Sequence, residues 1–482
     1  MAAQFLHRHG IDLQAEMDRV QVERSSTPLA GDNTPDLGRA ISQIKRLRRR
    51  DTSREGLWDL HLNLANVQCV RPHGRSDDTK EPKDSLDSNE AFVLPSLCHP
   101  HIHLDKCFLF SHPKYYDLEV VNGDFAEALQ LTSRAKARFG EDDLLTRGEW
   151  VIKESIAAGV THIRAFVEVD TTVKFRCLDA GLKLKHRFAP FCEIQICVFA
   201  QDPVFSEGKN HPQGKYLIEE ALDRDGVDAL GSTPYVESNP ALMRMNLAWA
   251  ISTAIQYKKH LDLHLDYNLD SAQSPLVFYA LDLLREHWKA RNDGRTIVFG
   301  HCTRLTLFTS EEWRRLRAAI GDLPLYFIGL PTSDLFMMSK PNEEDGGGKR
   351  VRGTLQIPQM IQKYGIRGAI GVNNVGNAFT PQGNCDPISI ASTGVGIYQA
   401  GTKADIDVLF DCVSSMAKAA IGFPQPKNPF ENSAPADFVL FKNPMSGDGT
   451  KLGSSRQRMT LQEIICDPPA HRQTIYRGRL AP

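Results

Sequence analysis

The segment Pro95-Ser96-Leu97-Cys98-His99-Pro100-His101-Ile102-His103-Leu104-Asp105 sets two histidines one residue apart at the end of an apolar run. Alternate side chains of an extended chain share a face, so His101 and His103 point the same way. Two imidazoles converging at a strand end are half of a divalent metal site. A bare pair of this kind is as often two ordinary surface histidines. Downstream, His260-Leu261-Asp262-Leu263-His264-Leu265-Asp266 places its polar residues on one face and its leucines on the other. Two further segments end in chemistry-bearing residues, Gly300-His301-Cys302-Thr303 and Gly371-Val372-Asn373-Asn374-Val375. His101, His103 and His264 together can hold one divalent ion, Zn or Fe. Such an ion polarises a substrate and lowers the pKa of water towards neutrality. His301 could move a proton or steady a developing oxyanion.

These residues need a scaffold that brings distant segments together. Short apolar runs at 92–98, 160–169, 193–199, 227–231, 261–265, 297–300, 325–330 and 369–372 alternate with helix-like stretches at 144–158, 174–187, 214–223, 241–258, 275–290, 310–320 and 354–364. The eightfold alternation predicts an α/β fold, a (β/α)8 TIM barrel, whose active sites lie at the C-terminal strand ends. A doubly wound open sheet is the alternative, and it would want a Gly-rich phosphate turn that the first strand lacks. Strand-like segments at 57–70, 432–442 and 464–480 predict a small composite β domain made of 57–93 and 432–482 around a barrel at 94–431. Residues 1–56 read as a peripheral segment. Its basic cluster Lys45-Arg46-Leu47-Arg48-Arg49-Arg50 reads as a solvated helix end rather than a nucleic-acid patch. The stretch 340–350 (KPNEEDGGGKR) reads as a flexible loop on the catalytic side.

Bulk properties exclude several classes. The 482 residues are 41% hydrophobic and 24% charged with net charge -2, so no global field favours nucleic acid or an anionic membrane. No run approaches the roughly 18 apolar residues of a membrane span. The N-terminus lacks an apolar signal core, and the ten cysteines are scattered, which points to a reduced, cytoplasmic protein. A small-molecule substrate is the expected partner, and a homo-oligomer is compatible with the sequence.

Six stretches carry a family resemblance: LPSLCHPHIHLDK (94–106), GVTHIRAFVEVD (159–170), VFAQDP (198–203), HLDLHLDYNLD (260–270), VFGHCT (298–303) and 350–387 with its GAIGVNNVGN core. In this order they resemble the amidohydrolase superfamily, and within it the cytosine deaminase-like branch, which includes enzymes that hydrolyse amino groups off s-triazine rings. The resemblance spans about residues 91–431, and the flanks PADFVLFK and DPPAHRQTIYRG resemble the family's composite β-sandwich. It implies a metal-dependent hydrolase of carbon–nitrogen (non-peptide) bonds in a small nitrogen heterocycle or cyclic amide. It makes His101, His103 and His264 the metal ligands and His301 the strand-six histidine. It makes Gln201 a hydrogen-bonding partner of the substrate ring; Asn374, from its place at a strand end, is expected to orient the substrate, and Tyr267 to bind it. Leu104 and Asp105 complete the first motif as structural residues.

The chain departs from the pattern at two acids. Asn373 stands where the family has an aspartate that ligates metal and deprotonates water, and Tyr267 stands where the deaminases have a glutamate. An asparagine can ligate through its carbonyl but cannot take a proton at neutral pH. A tyrosine, with a reference pKa of about 10, can donate but is a poor base. General-base catalysis is typically worth about 10²–10⁴-fold. Either another group moves the proton, with His301, Asp266, Asp270 and Asp386 as candidates, or the chain is a catalytically degenerate homologue that binds a metal or ligand or acts in regulation. A different carbon–nitrogen substrate with a better leaving group lies between the two.

Overall fold

The computed structural model describes residues 38–50, 56–74, 83–208, 210–288, 293–338, 353–442, 456 and 458–482. The loop at 340–350 and most of the segment 1–56 lie outside the described residues. Six strands come first: β1 (Arg39–Ala40), β2 (Gln43–Arg49), β3 (Trp58–Asn63), β4 (Asn66–Pro72), β5 (Ser85–Asp87) and β6 (Phe92–Pro95). The barrel strands follow: β7 (Leu97–His103), β8 (Val160–Glu168), β9 (Glu193–Ala200), β10 (Val227–Ser232), β11 (His260–Leu265), β12 (Ile297–His301), β13 (Leu325–Gly329) and β14 (Gly368–Ile370). Then come β15 (Phe438–Phe441), β16 (Arg472–Tyr476) and β17 (Arg479–Leu480).

Strands β7 to β14 pair side by side in sequence order, all parallel, with helices between them. This is the (β/α)8 barrel. Asn373 closes it: its N–H donates to the His101 carbonyl at 3.0 Å, and its own carbonyl accepts from the His103 N–H at 2.8 Å. The barrel strands are buried on both faces, as parallel strands covered by helices must be. In β11, Leu261, Leu263 and Leu265 face outward into the layer shared with the helices. Each such side chain contributes about 1.5–3 kcal/mol by leaving water. His260, Asp262 and His264 take the other face, so the period-two pattern decides which residues meet inside.

The second sheet runs β1-β17-β16-β15-β6-β2-β3-β4, with β5 on β2, and so joins both flanks of the barrel. It has its own core, including Ile44, Leu47, Leu60, Phe438 and Ile475. Three readings of the sequence need correction here. The basic cluster is strand β2, not a helix end: Ile44 and Leu47 are buried, Arg46 and Arg48 pair with Asp87 and Glu90, and Arg49 lies over Trp58 and Phe430. Long arginine stems pack along the apolar layer while their heads find acids. The sheet therefore takes strands from the segment 1–56 as well. The run 92–98 is two strands, β6 in the β domain and the start of β7 in the barrel. Ser96 is the corner between them, with its N–H on the Asp437 carbonyl. Within 464–480 the first residues belong to a helix, Leu461–Cys466, capped by Thr460, and only β16 and β17 are strands. Among the described residues no helix is long and apolar enough to cross a membrane.

Candidate metal centre and its pocket

His101 and His103 lie on one face of β7, His264 stands on β11 one residue from its end, and His301 ends β12. The Nε2 of His264 lies 3.1 Å from that of His101 and 3.1 Å from that of His103. Nitrogens about 2.0–2.1 Å from a common ion would stand at about this spacing. The donor atoms of His101, His264 and His301 also lie within 4.8 Å of one another. All four rings are buried. Burial holds His101, His103 and His264 well below the ordinary imidazole pKa, with each other's charge and that of Lys106 acting the same way. They are therefore neutral, the form that ligates metal. Among the described residues their Nδ1 atoms have no hydrogen-bond partner. Gly300 leaves room for this packing: a Cβ there would meet His101 Cε1 at 3.1 Å.

Beneath His101 lies a buried ion pair. Arg164 donates to Asp262 Oδ2 at 3.0 Å and to Gln195 at 3.0 Å, while Asp262 Oδ1 stands 3.7 Å from His101 Nδ1. Burial pushes Asp262 up to about 7 against the pull of Arg164. We take the pair as ionised, because the guanidinium stays charged and is buried with it.

His301 is held differently. Its Nδ1 pairs with Asp334 Oδ1 at 2.7 Å, and Asp334 Oδ2 accepts from the Thr354 hydroxyl at 2.8 Å. The Tyr267 ring packs on it with centroids 4.3 Å apart. Burial pushes the Tyr267 phenol well above its usual value, so it keeps its proton. Asn373 donates through Nδ2 to the Ser333 hydroxyl at 2.8 Å, and its Oδ1 is buried without a partner among the described residues. On the opposite wall, Lys106 donates to Glu168 at 2.6 Å and to Gln201 Oε1 at 2.9 Å. Glu168 also pairs with Lys136 at 2.5 Å. Burial works against its charge, yet the two ammonium groups hold its carboxyl down at about 2. Asn374 accepts from Asn377, whose amide also holds the Lys106 carbonyl.

His103, His264, His301, Gln201, Tyr267, Asn373 and Asn374 all line one cavity, and His101 packs against His264 beneath it. The three candidate carboxylates are employed elsewhere. Asp266 accepts from the N–H groups of Leu276 and Val277 at the start of the helix Val277–His287. Asp270 closes a local turn on Ala272, and Asp386 caps the helix Pro387–Ile397 while bridging Arg472 through both oxygens. Two side chains that hold the cavity residues escaped the sequence reading. Lys106 follows directly on the first motif, a signal that was there to use. Asp334, in Pro331-Thr332-Ser333-Asp334, carries no spacing that marks it.

Phe125, Tyr235, Tyr267, Met337 and Phe379 close the cavity to about 20 Å³, room for roughly one water. A larger cavity of about 780 Å³ opens near the N-terminal strand ends, between Tyr326, Arg367 and the segment Pro424–Phe430, and holds none of these residues.

No family model matches the chain. Over 350 residues it is 21% identical to the N-isopropylammelide isopropyl amidohydrolase of Pseudomonas sp. (strain ADP), covering 70% of this chain and 77% of that protein. Its fold superposes on 5-methylcytosine deaminase from Klebsiella pneumoniae liganded with 5-fluorocytosine, with TM-score 0.75 and 19% identity over 91% of this chain and 97% of that one. It also superposes on an adenosine deaminase from Xanthomonas campestris with bound zinc, with TM-score 0.62 and 15% identity over 92% of each chain. The relative and the neighbours are amidohydrolases and deaminases, in line with the resemblance carried by the sequence motifs.

Proposed function

We propose that this amidohydrolase-like chain is a metal-dependent hydrolase of carbon–nitrogen bonds in a small nitrogen heterocycle or cyclic amide. The observation that carries the reading is the His264 Nε2 placed 3.1 Å from two other imidazole nitrogens, in a buried cluster of neutral rings. Such a donor set fits one divalent ion of the zinc or iron type, held by His101, His103 and His264. The unpartnered Asn373 Oδ1 beside them is a further oxygen donor. When bound, the ion supplies Lewis acidity towards water and substrate.

The residues of the chain supply the rest. An ammonium has three donors, and Lys106 spends two on Glu168 and Gln201. The third is left for an acceptor on the substrate. Gln201 keeps its amide N–H groups for the ring, and the Tyr267 hydroxyl donates but does not accept a proton. His301 then takes the proton of the attacking water at Nε2 and returns it to the nitrogen that leaves as the carbon–nitrogen bond breaks. Asn373 can orient the water through Oδ1 but cannot ionise. A cavity of about 20 Å³ does not admit a ring, so Phe125, Tyr267 or Phe379 must swing aside on binding. All ten cysteines are free, which supports a reducing, cytoplasmic setting.

The two missing acids and the closed cavity favour one second reading, a degenerate homologue that keeps the metal but not the turnover. One experiment separates them: metal analysis, and hydrolysis of a panel of amino-heterocycles and cyclic amides by wild type and Asn373→Asp. Turnover by wild type, with about one ion per chain, supports the hydrolase. Turnover by Asn373→Asp alone supports the degenerate homologue, and absence of metal from wild type overturns the site.

A further inference from the structure

Among the described residues, two carboxylates reach the site histidines. Asp262 stands 3.7 Å from His101 and is neutralised by Arg164. Asp334 stands 2.7 Å from His301 and, among the described residues, has no arginine or lysine partner. It is fully buried, and its other oxygen is taken by the Thr354 hydroxyl. A buried carboxylate without a cation is costly to keep, and it persists where a donor holds it. Here that donor is the Nδ1 of His301.

The rest of His301 is gripped as firmly. His301 and Cys302 both take the left-handed backbone region, at φ 65° and 47°, a conformation that neighbours must enforce in residues other than glycine. The Cys302 N–H is fixed on the Leu265 carbonyl at 3.0 Å, and the Tyr267 ring lies against the imidazole. With Nδ1–H donated to Asp334, the lone pair belongs to Nε2.

We propose that Asp334 is the positioning residue of this site, fixing the tautomer and orientation of His301 so that Nε2 can receive a proton in place of the acids that Asn373 and Tyr267 replace. Asp334 touches neither substrate nor metal and acts through the imidazole. The inference rests on the hydrolase reading for its effect on rate, but not for its effect on the tautomer.

The test pairs kinetics with histidine ¹⁵N NMR on the full-length protein. Asp334→Asn and Asp334→Ala should lower kcat by about 100-fold or more, as loss of an aspartate behind a catalytic histidine does, with KM within about threefold. Metal content and unfolding midpoint of Asp334→Asn should stay near wild type. In the wild type one histidine should show a low-field Nδ1 proton, lost in Asp334→Ala. Thr354→Val should lower kcat by about three- to tenfold and shift that proton, and it carries the test if the alanine variant does not fold. A kcat within threefold of wild type in Asp334→Asn, or an unchanged tautomer in the variants, overturns the proposal. If the wild type hydrolyses nothing in the panel, the hydrolase reading fails, and the labelled spectrum alone decides for or against Asp334.

Discussion

Towards the C-terminal ends of the barrel strands the inward side chains are His101, His103, His264 and His301, packed round a cavity of about 20 Å³. Towards the N-terminal ends they include the apolar Cys98, Val298, Ile328 and Ala369 with the polar Gln195 and His260, and a groove of about 780 Å³ opens alongside. The same strands build both ends, so their difference is one of side-chain chemistry and not of scaffold. Cavity size points to the wrong end. What marks the upper end is that polar groups held by their neighbours line the cavity: Asp334 holds His301, Glu168 and Gln201 hold Lys106, and Ser333 holds Asn373. Among the described residues the lower end buries two cations beside its apolar layer: Lys418 donates to Ser96 at 2.7 Å, and Arg164, paired with Asp262, reaches the Ile421 carbonyl at 3.4 Å. Barrels commonly divide chemistry and stability in this way.

The largest break in that contrast should come from His264→Ala. His264 Nε2 is the nitrogen that the other two proposed ligands share as a neighbour, so on the proposed reading its loss should reduce bound metal from about one ion per chain to near none. Any turnover should fall by at least about 10³-fold, comparable to losing a core member of a catalytic set. Elemental analysis and the substrate panel check both. A variant that keeps its ion would move the metal site away from these strand ends.

Lys106→Met should come next. It removes one of the two ammonium groups that hold Glu168, and breaking a buried pair costs about 3–5 kcal/mol. The cost should fall near the lower bound, because Lys136 remains. Against the effect of burial, Lys106 and Lys136 hold the Glu168 carboxyl down at about 2, below the ordinary 4.5. Its stabilising contribution is therefore present above about pH 4.5 and is lost as pH falls towards 2. Urea unfolding of the variant should show lower stability at pH 7 and a shallower loss between pH 4.5 and 2. The substrate panel should show a raised KM. Equal slopes in variant and wild type would mean that Lys106 does not stabilise the Glu168 charge.

Much of this site was legible because β-strand periodicity is short-range. Once eight strands are recognised, the parity of His101, His103 and His264 decides that they face inward, and position at a strand end selects His301, Asn373 and Asn374. Gln201 and Tyr267 became visible only through the family resemblance. Asp334 was not legible, since its partner is 33 residues away and nothing local separates it from other acids. Strand β2 was missed because four of its seven residues are basic, and charge there reflects acids on neighbouring strands that composition does not reveal. The break at Ser96 was missed because a chain that leaves one sheet for another keeps the same alternation. Asp266 shows the converse: its parity with His264 suggested the cavity, but at φ 49° the chain turns and the carboxylate is spent on two backbone N–H groups.

A smaller effect should sharpen the upper end alone. At Gly300 an added Cβ would press on His101 Cε1 at 3.1 Å and Nδ1 at 3.4 Å, close enough to shift the ring by a few tenths of an ångström. Gly300→Ala should weaken metal binding by about tenfold, the range seen when a ligand loses its orientation. Competition with a chelator measures it. Unchanged affinity would show that the imidazole cluster tolerates displacement.

The smallest effect should come from the lower end. Lys418 is fully buried, and burial lowers its ammonium pKa below the usual value of 10.5. Between the lowered value and about 10.5 the unfolded chain binds a proton that the native state has shed, so wild-type stability rises with pH across that window. Lys418→Met has no proton to exchange and should remove this rise. At pH 7 it avoids burying a charge but gives up the bond to Ser96, worth about 1 kcal/mol, so the net change should stay within about 2 kcal/mol of zero. Metal content and turnover should match wild type. A threefold change in metal affinity would mean that the apolar layer transmits strain along the strands to the histidines, and the two ends would then have to be treated as one coupled unit.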